Sequence, residues 1–176
     1  AWITEIAALA TTQLSQLSSE ALRAFTATQF AALSATQVRA LTTTQIENLE
    51  SADIAEFTTT QIAGLATTQV RDLNETAIAA LDTTQLAALT TTQIKSLTNT
   101  NLTSLADTQI AAMTTTQVGA LSATQVGGLT ATNVGALTTT QIGAFNATQV
   151  AALSTTAVSA FDTAQFGALN TTQVRA

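Results

Sequence analysis

The chain has 176 residues with a formal net charge of −6 at pH 7, and its composition excludes several kinds of chemistry. It contains no His and no Cys, so disulfide bonds, thiol chemistry, zinc sites and His-based catalysis have no residues to carry them. The balance of 11 acidic against 5 basic residues argues against a nucleic-acid partner, because phosphate binding requires clustered Lys and Arg.

An eight-residue repeat runs through the chain without a slip, and 22 copies of it account for the whole length. The unit 42–49 reads Thr-Thr-Thr-Gln-Ile-Glu-Asn-Leu, and each repeat position is named here after its residue in this unit. The Ile46 site is large and apolar in every copy, and the Leu49 site is Leu, Phe or Met everywhere except at Ala1. A register this strict predicts one structural unit repeated, in which neighbouring units supply the core.

A short helix is predicted in every repeat. The Thr42 site is Ser, Thr, Asn or Asp in 17 of 22 copies, and these residue types cap helix N-termini. The Gln45 site is Gln in 15 copies, which completes a capping box. The Ile46 and Leu49 sites then share one helix face. In chain order the predicted caps are Ser18, Thr26, Ser34, Thr42, Thr58, Asn74, Asp82, Thr90, Thr98, Thr114, Ser122, Thr130, Thr138, Asn146, Ser154, Asp162 and Asn170.

The predicted fold class is all-α: a solenoid or superhelix of 22 eight-residue repeats, each a short capped helix, in a single array over 1–176. Helices of about six residues are not stable alone in water, so packing between repeats must hold them, with the Ile46 and Leu49 sites facing inward. A β-solenoid is the alternative, because eight is even and each position would keep its face of a strand. A continuous helix or a coiled coil is excluded, since a period of eight spreads the apolar sites around the whole helix.

The Glu47 site, directly after the Ile46 site, is predicted to face water. All five basic residues occupy it, and an unpaired cation is rarely buried. Five glycines occupy the same site, where a missing side chain leaves no hole in the core. The basic residues are Arg23, Arg39, Arg71, Lys95 and Arg175, and the glycines are Gly119, Gly127, Gly135, Gly143 and Gly167.

Two regions stand out by their charge. Residues 108–161 contain no charged side chain, which has two open interpretations: relaxed drift in a repeat array, or a surface that packs against another chain. An acidic patch earlier in the chain is expected to be a solvated face, because no EF-hand pattern accompanies it. The patch consists of Glu47, Glu50, Asp53, Glu56, Asp72 and Glu75.

No catalytic, cofactor or metal site is predicted, and no small-molecule substrate is expected. The Ser and Thr hydroxyls lack an activating His, and no Gly-rich phosphate loop is present. The polar half of each repeat interrupts every apolar run, so no membrane span is expected, and the first residues carry no signal-peptide pattern. Four N-x-S/T sequons begin at Asn74, Asn101, Asn146 and Asn170, and the repeat itself accounts for them.

The unit resembles the octapeptide arrays, written T-x-x-Q-[IV]-x-A-L, of very large bacterial secreted and surface-associated proteins. The resemblance covers all 22 repeats, although those arrays often carry Pro and Glu after the cap and this chain has no Pro. It implies a non-enzymatic spacer, stalk or fibre-forming segment of a bacterial extracellular or cell-surface assembly. Neither end shows a polar cap, so we expect an excerpt of a longer array or subunits that stack end to end.

Self-association through the uncharged stretch 108–161 is the expected partnership. The alternative function is a binding module, because the Thr44 site is Thr in 19 of 22 repeats. Regularly spaced Thr side chains are able to order water, as on an ice-binding or other surface-binding face. A local hydrogen-bonding role for Thr beside a helix cap argues against this alternative.

Overall fold

A computed structural model describes residues 2–175, apart from the side chain of Trp2. Within that range the chain forms 22 α-helices of four to six residues and no strand. The predicted all-α class, with one short helix in each repeat, is confirmed, and the β-solenoid alternative is wrong. Ala1, the single departure at the Leu49 site, lies outside the described residues, as does Ala176.

The helices fall into two compact units, Ala1–Leu89 and Thr90–Ala176. The first unit contains α1 (Trp2–Ala7), α2 (Thr11–Ser15), α3 (Ser19–Arg23), α4 (Ala27–Ala32), α5 (Ala35–Arg39), α6 (Thr43–Glu47), α7 (Ser51–Ala55), α8 (Thr59–Gly64), α9 (Thr67–Arg71), α10 (Glu75–Ala79) and α11 (Thr83–Ala88). The second unit contains α12 (Thr91–Ser96), α13 (Asn99–Thr103), α14 (Asp107–Ala112), α15 (Thr115–Ala120), α16 (Ala123–Gly127), α17 (Ala131–Gly135), α18 (Thr139–Gly143), α19 (Ala147–Ala152), α20 (Thr155–Val158), α21 (Thr163–Gly167) and α22 (Thr171–Val174).

Most helices begin at the predicted capping box, whereas α3, α10 and α20 have a capping side chain without the reciprocal bond. Thr42 has extended backbone (φ −71°, ψ 158°), and its Oγ1 accepts a hydrogen bond from the Gln45 N–H at 3.2 Å. In return, the Oε1 of Gln45 accepts from the Thr42 N–H at 2.7 Å. Where Ala replaces the cap, as at Ala10, only the Gln half of the box remains. These reciprocal bonds satisfy donors that the first helical turn leaves without an intrahelical partner.

Each helix ends at or just before the Leu49 site. The N–H of Leu49 donates to the carbonyl of Ile46 at 3.1 Å, which closes a tight last turn. The chain then enters the extended conformation of the next cap, so a new helix starts eight residues after the previous one. This alternation of a short helix and an extended corner gives the repeat its length.

The core consists of the two apolar sites, as the sequence predicts. The Ile46 site is buried in every repeat from Leu14 to Ile142, and the Leu49 site in every repeat from Leu33 to Phe161. Because the two sites share one helix face, each helix from α4 to α18 buries two large side chains on the inside. Towards the end of the chain the prediction is wrong, since Phe166 and Val174 of the Ile46 site are 49% and 68% exposed. Burial of apolar area on this scale is the main favourable term in the stability of such short helices.

Within each unit, a helix packs mainly against the third helix before it and the third helix after it. The first unit shows this in the pairs α1 and α4, α5 and α8, and α8 and α11. The second unit shows it in α12 and α15, α16 and α19, and α19 and α22. Contacts at this interval define stacked turns, and the arrangement inside each unit is that of a solenoid.

Candidate functional site at the glutamine ladder and the outer surface

Buried Gln side chains tie successive turns of each unit together. The Nε2 of Gln45 donates to the carbonyl oxygens of Leu14 and Leu17, both at 2.8 Å. These carbonyls end helix α2, which lies four helices earlier, so one turn takes between three and four repeats. We call the set of these contacts the glutamine ladder. Besides Gln45 it includes Gln37, Gln61, Gln69 and Gln85 in the first unit and Gln125, Gln141, Gln149, Gln165 and Gln173 in the second.

The amide of each ladder residue uses both of its ends. In Gln45 the Oε1 accepts from the cap of its own helix, and the Nε2 donates to two carbonyls of the preceding turn. The residue is only 3% exposed. A buried amide costs free energy unless its hydrogen bonds are made, and here they are made in full. The ladder therefore joins the start of one helix to the end of another. It gives the Leu17 carbonyl a donor, and it adds a second donor to the Leu14 carbonyl, which also accepts from the Leu17 N–H at 3.2 Å.

The capping role predicted for the Gln45 site does not include these inter-turn bonds. The signal was present in the residue choice. A capping box accepts Glu as readily as Gln, because only the side-chain oxygen is used. Glu occurs once at this site, at Glu5, whereas Gln occurs 15 times. A preference for Gln over Glu indicates that the NH₂ group also has a partner.

The repeat 74–81 makes the inter-turn bonds without a Gln. Ala77 occupies the Gln45 site, and the cap of the same helix is Asn74. The Nδ2 of Asn74 donates to the carbonyls of Glu47 at 2.8 Å and Leu49 at 3.1 Å. Its Oδ1 accepts from the Ala77 N–H at 2.8 Å. One Asn at the cap therefore performs both functions that Thr and Gln share elsewhere.

In the second unit, the repeats of Asn133 and Ala157 lack the inter-turn bonds. Asn133 is one methylene shorter than Gln, and the bonds of its side chain stay within its own repeat, at Thr130. Ala157 has no amide, and its cap is Ser154, whose hydroxyl accepts from the Ala157 N–H at 3.1 Å. Both positions are buried, with Asn133 at 2% and Ala157 at 1% exposure. We call these two positions, which lack the inter-turn bonds of the glutamine ladder, the weak rungs of the second unit.

In the acidic patch, one helix has an Asp in place of Gln at the Gln45 site, and an ion pair lies beside it. Helix α7 has Glu50 at its cap and Asp53 at the Gln45 site, and the Asp53 carboxylate accepts from the Glu50 N–H at 2.9 Å. Glu50 forms an ion pair with Arg23 of α3, four helices earlier, which is the helix that a Gln would reach. Burial raises the pKa of Asp53, and the positive charge of Arg23 partly offsets this.

The other acidic residues of the patch behave largely as a solvated face. Glu47, Glu56 and Glu75 are exposed, as is Glu50. Asp72 is half-buried and accepts a hydrogen bond from the Arg71 Nε at 2.9 Å. Among the described residues, 2–175, no group of three acidic side chains is placed to hold a metal ion.

The Glu47 site faces outward, as predicted, and all five of its basic residues are exposed. One glycine of this site departs from the prediction. A Cβ built on Gly127 would lie 2.9 Å from the carbonyl oxygen of Ala152, three helices later. Gly127 is therefore a point of close approach between turns as well as a surface residue. At Gly135 a Cβ meets nothing within 4 Å, and at Gly119 and Gly143 it meets ordinary contacts of 3.5 and 3.6 Å.

The Thr44 site forms an exposed set of hydroxyl groups. Thr116, Thr124, Thr132 and Thr140 are all exposed, and within residues 2–175 their hydroxyls have no hydrogen-bond partner. The expected local role beside the cap is seen at Thr76, which donates to Asn74. Since three to four repeats make one turn, successive Thr side chains of a unit point in different directions around it. Thr116 and Thr140 belong to helices that pack against each other, α15 and α18.

Repeated short helices joined by a glutamine ladder define a helical tandem-repeat protein. A family model described as the ALTTAQ repeat matches residues 6–43, 67–99 and 147–176, which together exceed half of the chain. The chain belongs to the ALTTAQ repeat family. No curated protein matches it. None of the described helices is long and apolar enough to cross a membrane.

Proposed function

We propose that this chain is a non-enzymatic structural repeat protein, a spacer, stalk or fibre-forming segment of a bacterial extracellular or cell-surface assembly. The glutamine ladder is the observation that supports this proposal. Most repeats make the same contacts with the turn before them, so an array of this kind gains length by adding further copies of one unit. The buried amides of the repeat have a structural role, since they donate hydrogen bonds to backbone carbonyls of the same chain.

The distribution of charge supports a second part of the proposal, self-association through residues 108–161. The first unit holds nine of the 11 acidic residues and three of the five basic ones, and therefore the whole net charge. The second unit is neutral overall, with Lys95, Asp107, Asp162 and Arg175 as its charged residues. A surface without charge lacks the repulsion that keeps protein surfaces apart.

A duplication experiment tests the spacer role. The variant repeats residues 107–162, a block of seven repeats that preserves the register. We expect unchanged helical content per residue by circular dichroism, an unfolding midpoint no lower than that of the original chain, and a larger radius of gyration by X-ray scattering. The control repeats residues 107–158, which breaks the register by half a repeat and should lose helix. A register-preserving duplication that unfolds would contradict the spacer role.

The location is tested on cells of the source bacterium. An antibody raised against the purified chain should label intact cells or the culture medium. Lysed cells serve as the control for total protein. Labelling that appears only after lysis would overturn the extracellular location and leave the structural role to be judged by the duplication.

A Thr-dependent binding face is the second candidate function, and the unpartnered hydroxyls at the Thr44 site favour it. The turning of successive repeats works against a single flat Thr face. Thermal hysteresis and ice-crystal shaping with the purified protein test the ice-binding form. An effect that disappears when Thr116 and Thr140 are replaced by Val and Leu would raise this candidate above the spacer, and no effect at millimolar protein would remove it.

A further inference from the structure

The four sequons of the chain differ in the surroundings of their Asn side chains. Asn101 is the third residue of helix α13, and it is only 3% exposed. Asn74 caps α10, but its Nδ2 is held between the carbonyls of Glu47 and Leu49. Substitution of that nitrogen would cost at least one of the two inter-turn bonds. Neither side chain is available for reaction in the folded chain.

The remaining two sequons have exposed Asn residues with a free amide nitrogen. Asn146 caps α19 and Asn170 caps α22, each with extended backbone (φ −83° at both). The Oδ1 of Asn146 accepts from the Gln149 N–H at 2.9 Å, and the Oδ1 of Asn170 accepts from the Thr172 and Gln173 N–H groups at 3.0 and 3.1 Å. Within residues 2–175 neither Nδ2 has a hydrogen-bond partner, so a substituent there removes no contact.

The hydroxyl of each sequon is exposed as well. Thr148 and Thr172 lie two residues after the Asn and belong to the Thr44 site, and their hydroxyls have no partner among the described residues. Each Asn has extended backbone at its cap, with ψ 168° at Asn146 and 169° at Asn170, so the sequon begins in an extended conformation in the folded chain.

The two sites lie on adjacent turns of the same unit. Helices α19 and α22 pack against each other, and an open groove between them is lined by Ala147, Thr171, Thr172 and Arg175. The hydroxyls and the guanidinium of this groove are hydrogen-bonding groups suited to a neutral sugar. Two saccharides on these Asn residues would project beside one another at the surface.

We propose that Asn146 and Asn170 are acceptor sites for N-linked glycosylation of the folded chain, and that Asn74 and Asn101 are not. In this reaction the Asn Nδ2 forms a bond to the anomeric carbon of a nucleotide-activated sugar. The bond from that carbon to the diphosphate oxygen breaks, the nucleoside diphosphate leaves, and Nδ2 loses one proton. The Oδ1 is not consumed, so each Asn keeps its capping bond after modification.

The test uses the purified full chain, a soluble sequon-directed N-glycosyltransferase and UDP-glucose. We expect intact-mass spectrometry to show the addition of up to two hexoses, and peptide mapping to place them on Asn146 and Asn170. The urea-unfolded chain, diluted into the same reaction, should be modified at all four sequons. Absence of hexose from Asn146 and Asn170 in the folded chain, with modification of the unfolded chain, would overturn the proposal, and so would equal modification of Asn74 and Asn101 in the folded chain.

Matched variants separate acceptor chemistry from capping. Asn146→Asp and Asn170→Asp keep a capping oxygen and remove the acceptor nitrogen, so each should lose one hexose while the circular dichroism melt is unchanged. Thr148→Ala and Thr172→Ala should likewise lose one hexose each, whereas the corresponding Ser variants should retain it. Hexose addition that persists in the Asp variants would show that the modification lies elsewhere and would overturn the assignment.

Discussion

The Nε2 of Gln141 lies 2.7 Å from the carbonyl oxygen of Met113, 28 residues earlier, and 2.8 Å from that of Ile110. The same side chain accepts a hydrogen bond from the Thr138 N–H at 2.7 Å through its Oε1. One amide thus connects the start of α18 to the end of α14. Hydrogen bonds from a single side chain thus join two turns at a defined spacing along the chain.

Replacement of Gln141 tests the ladder. Gln141→Ala removes the side-chain donor of the Met113 carbonyl and one of two donors of the Ile110 carbonyl, which keeps the Met113 N–H at 3.2 Å. An unsatisfied buried acceptor costs roughly 1–3 kcal/mol, so we expect a loss of about 2 kcal/mol in urea unfolding followed by circular dichroism. Gln141→Glu keeps the capping acceptor but places a carboxylate against the same carbonyls, and should cost at least as much.

A matched control exists near the start of the chain. Gln13 accepts from the Ala10 N–H at 2.8 Å and makes no inter-turn bond. Gln13→Glu keeps that capping bond and should therefore be nearly neutral. If the Glu substitution costs the same at 13 and at 141, the inter-turn bonds contribute nothing measurable.

The weak rungs of the second unit predict stabilising substitutions. The spacing of 28 and 31 residues assigns the carbonyls of Leu129 and Val126 to position 157. Ala157→Gln should therefore gain two inter-turn bonds and raise the free energy of unfolding by about 1–2 kcal/mol. Ala157→Glu is the control, since it has a similar size and no donor, and it should not stabilise. A gain shared by both variants would point to side-chain packing in place of the ladder.

Asp53 at the Gln45 site predicts that the stability of the chain depends on pH. Burial raises the pKa of Asp53 in the folded chain above its ordinary value of 3.8. The folded state then binds a proton more readily than the unfolded state, so this group favours folding below pH 3.8 and loses that contribution as the pH rises through the raised pKa. Asp53→Asn should remove this dependence, as measured by the difference in urea midpoint between pH 3 and pH 7.

A second substitution at the same position separates charge from the ladder. Asp53→Gln removes the charge as Asn does, but it is also long enough to reach the carbonyls of Phe25 and Leu22. We expect it to be more stable than Asp53→Asn at both pH values, by about 1 kcal/mol or more. Equal stability of the Asn and Gln variants would show that the ion pair between Arg23 and Glu50 already replaces the missing bonds.

The sequence predicts the features inside one repeat, but it does not predict how one repeat packs against another. The cap at Thr42, the box with Gln45 and the inward face of Ile46 and Leu49 are all local, so a spacing of three residues was sufficient to predict them. The number of repeats in a turn depends on how the extended corner after Leu49 redirects the chain. No single residue encodes that angle, and the ladder, which depends on it, was missed.

The core assignment is tested by two neighbouring residues of α12. Ile94 is fully buried and Lys95 is exposed. Ile94→Asp places an unpaired carboxylate in the apolar interior and should cost more than about 3 kcal/mol, whereas Lys95→Asp should change stability by less than about 0.5 kcal/mol. Thermal unfolding of the two variants in parallel measures the difference. Similar melting temperatures would contradict the inward and outward faces described for this helix.

The proposed assembly surface requires variants that add charge without disturbing the turns. Gly127 is unsuitable, because a Cβ there would press on the Ala152 carbonyl. The triple variant Gly119→Lys, Gly135→Lys and Gly143→Lys avoids that contact, and Lys is a better helix former than Gly, so the helical content should not fall. We expect sedimentation velocity to show self-association of the original chain and a monomer for the variant.

The control for this assembly places three lysines at the same outer site of the first unit, by Ala7→Lys, Ala31→Lys and Ala55→Lys, where the side chains are exposed. The control adds the same charge but leaves residues 108–161 unchanged, and it should still associate. Both triple variants change the net charge equally, from −6 to −3, so net charge cannot account for a difference between them. Dispersal by both would mean that lysine at any outer site blocks association, and it would contradict a contact specific to residues 108–161. An original chain that remains monomeric at high concentration would rule out the uncharged surface as a contact between copies.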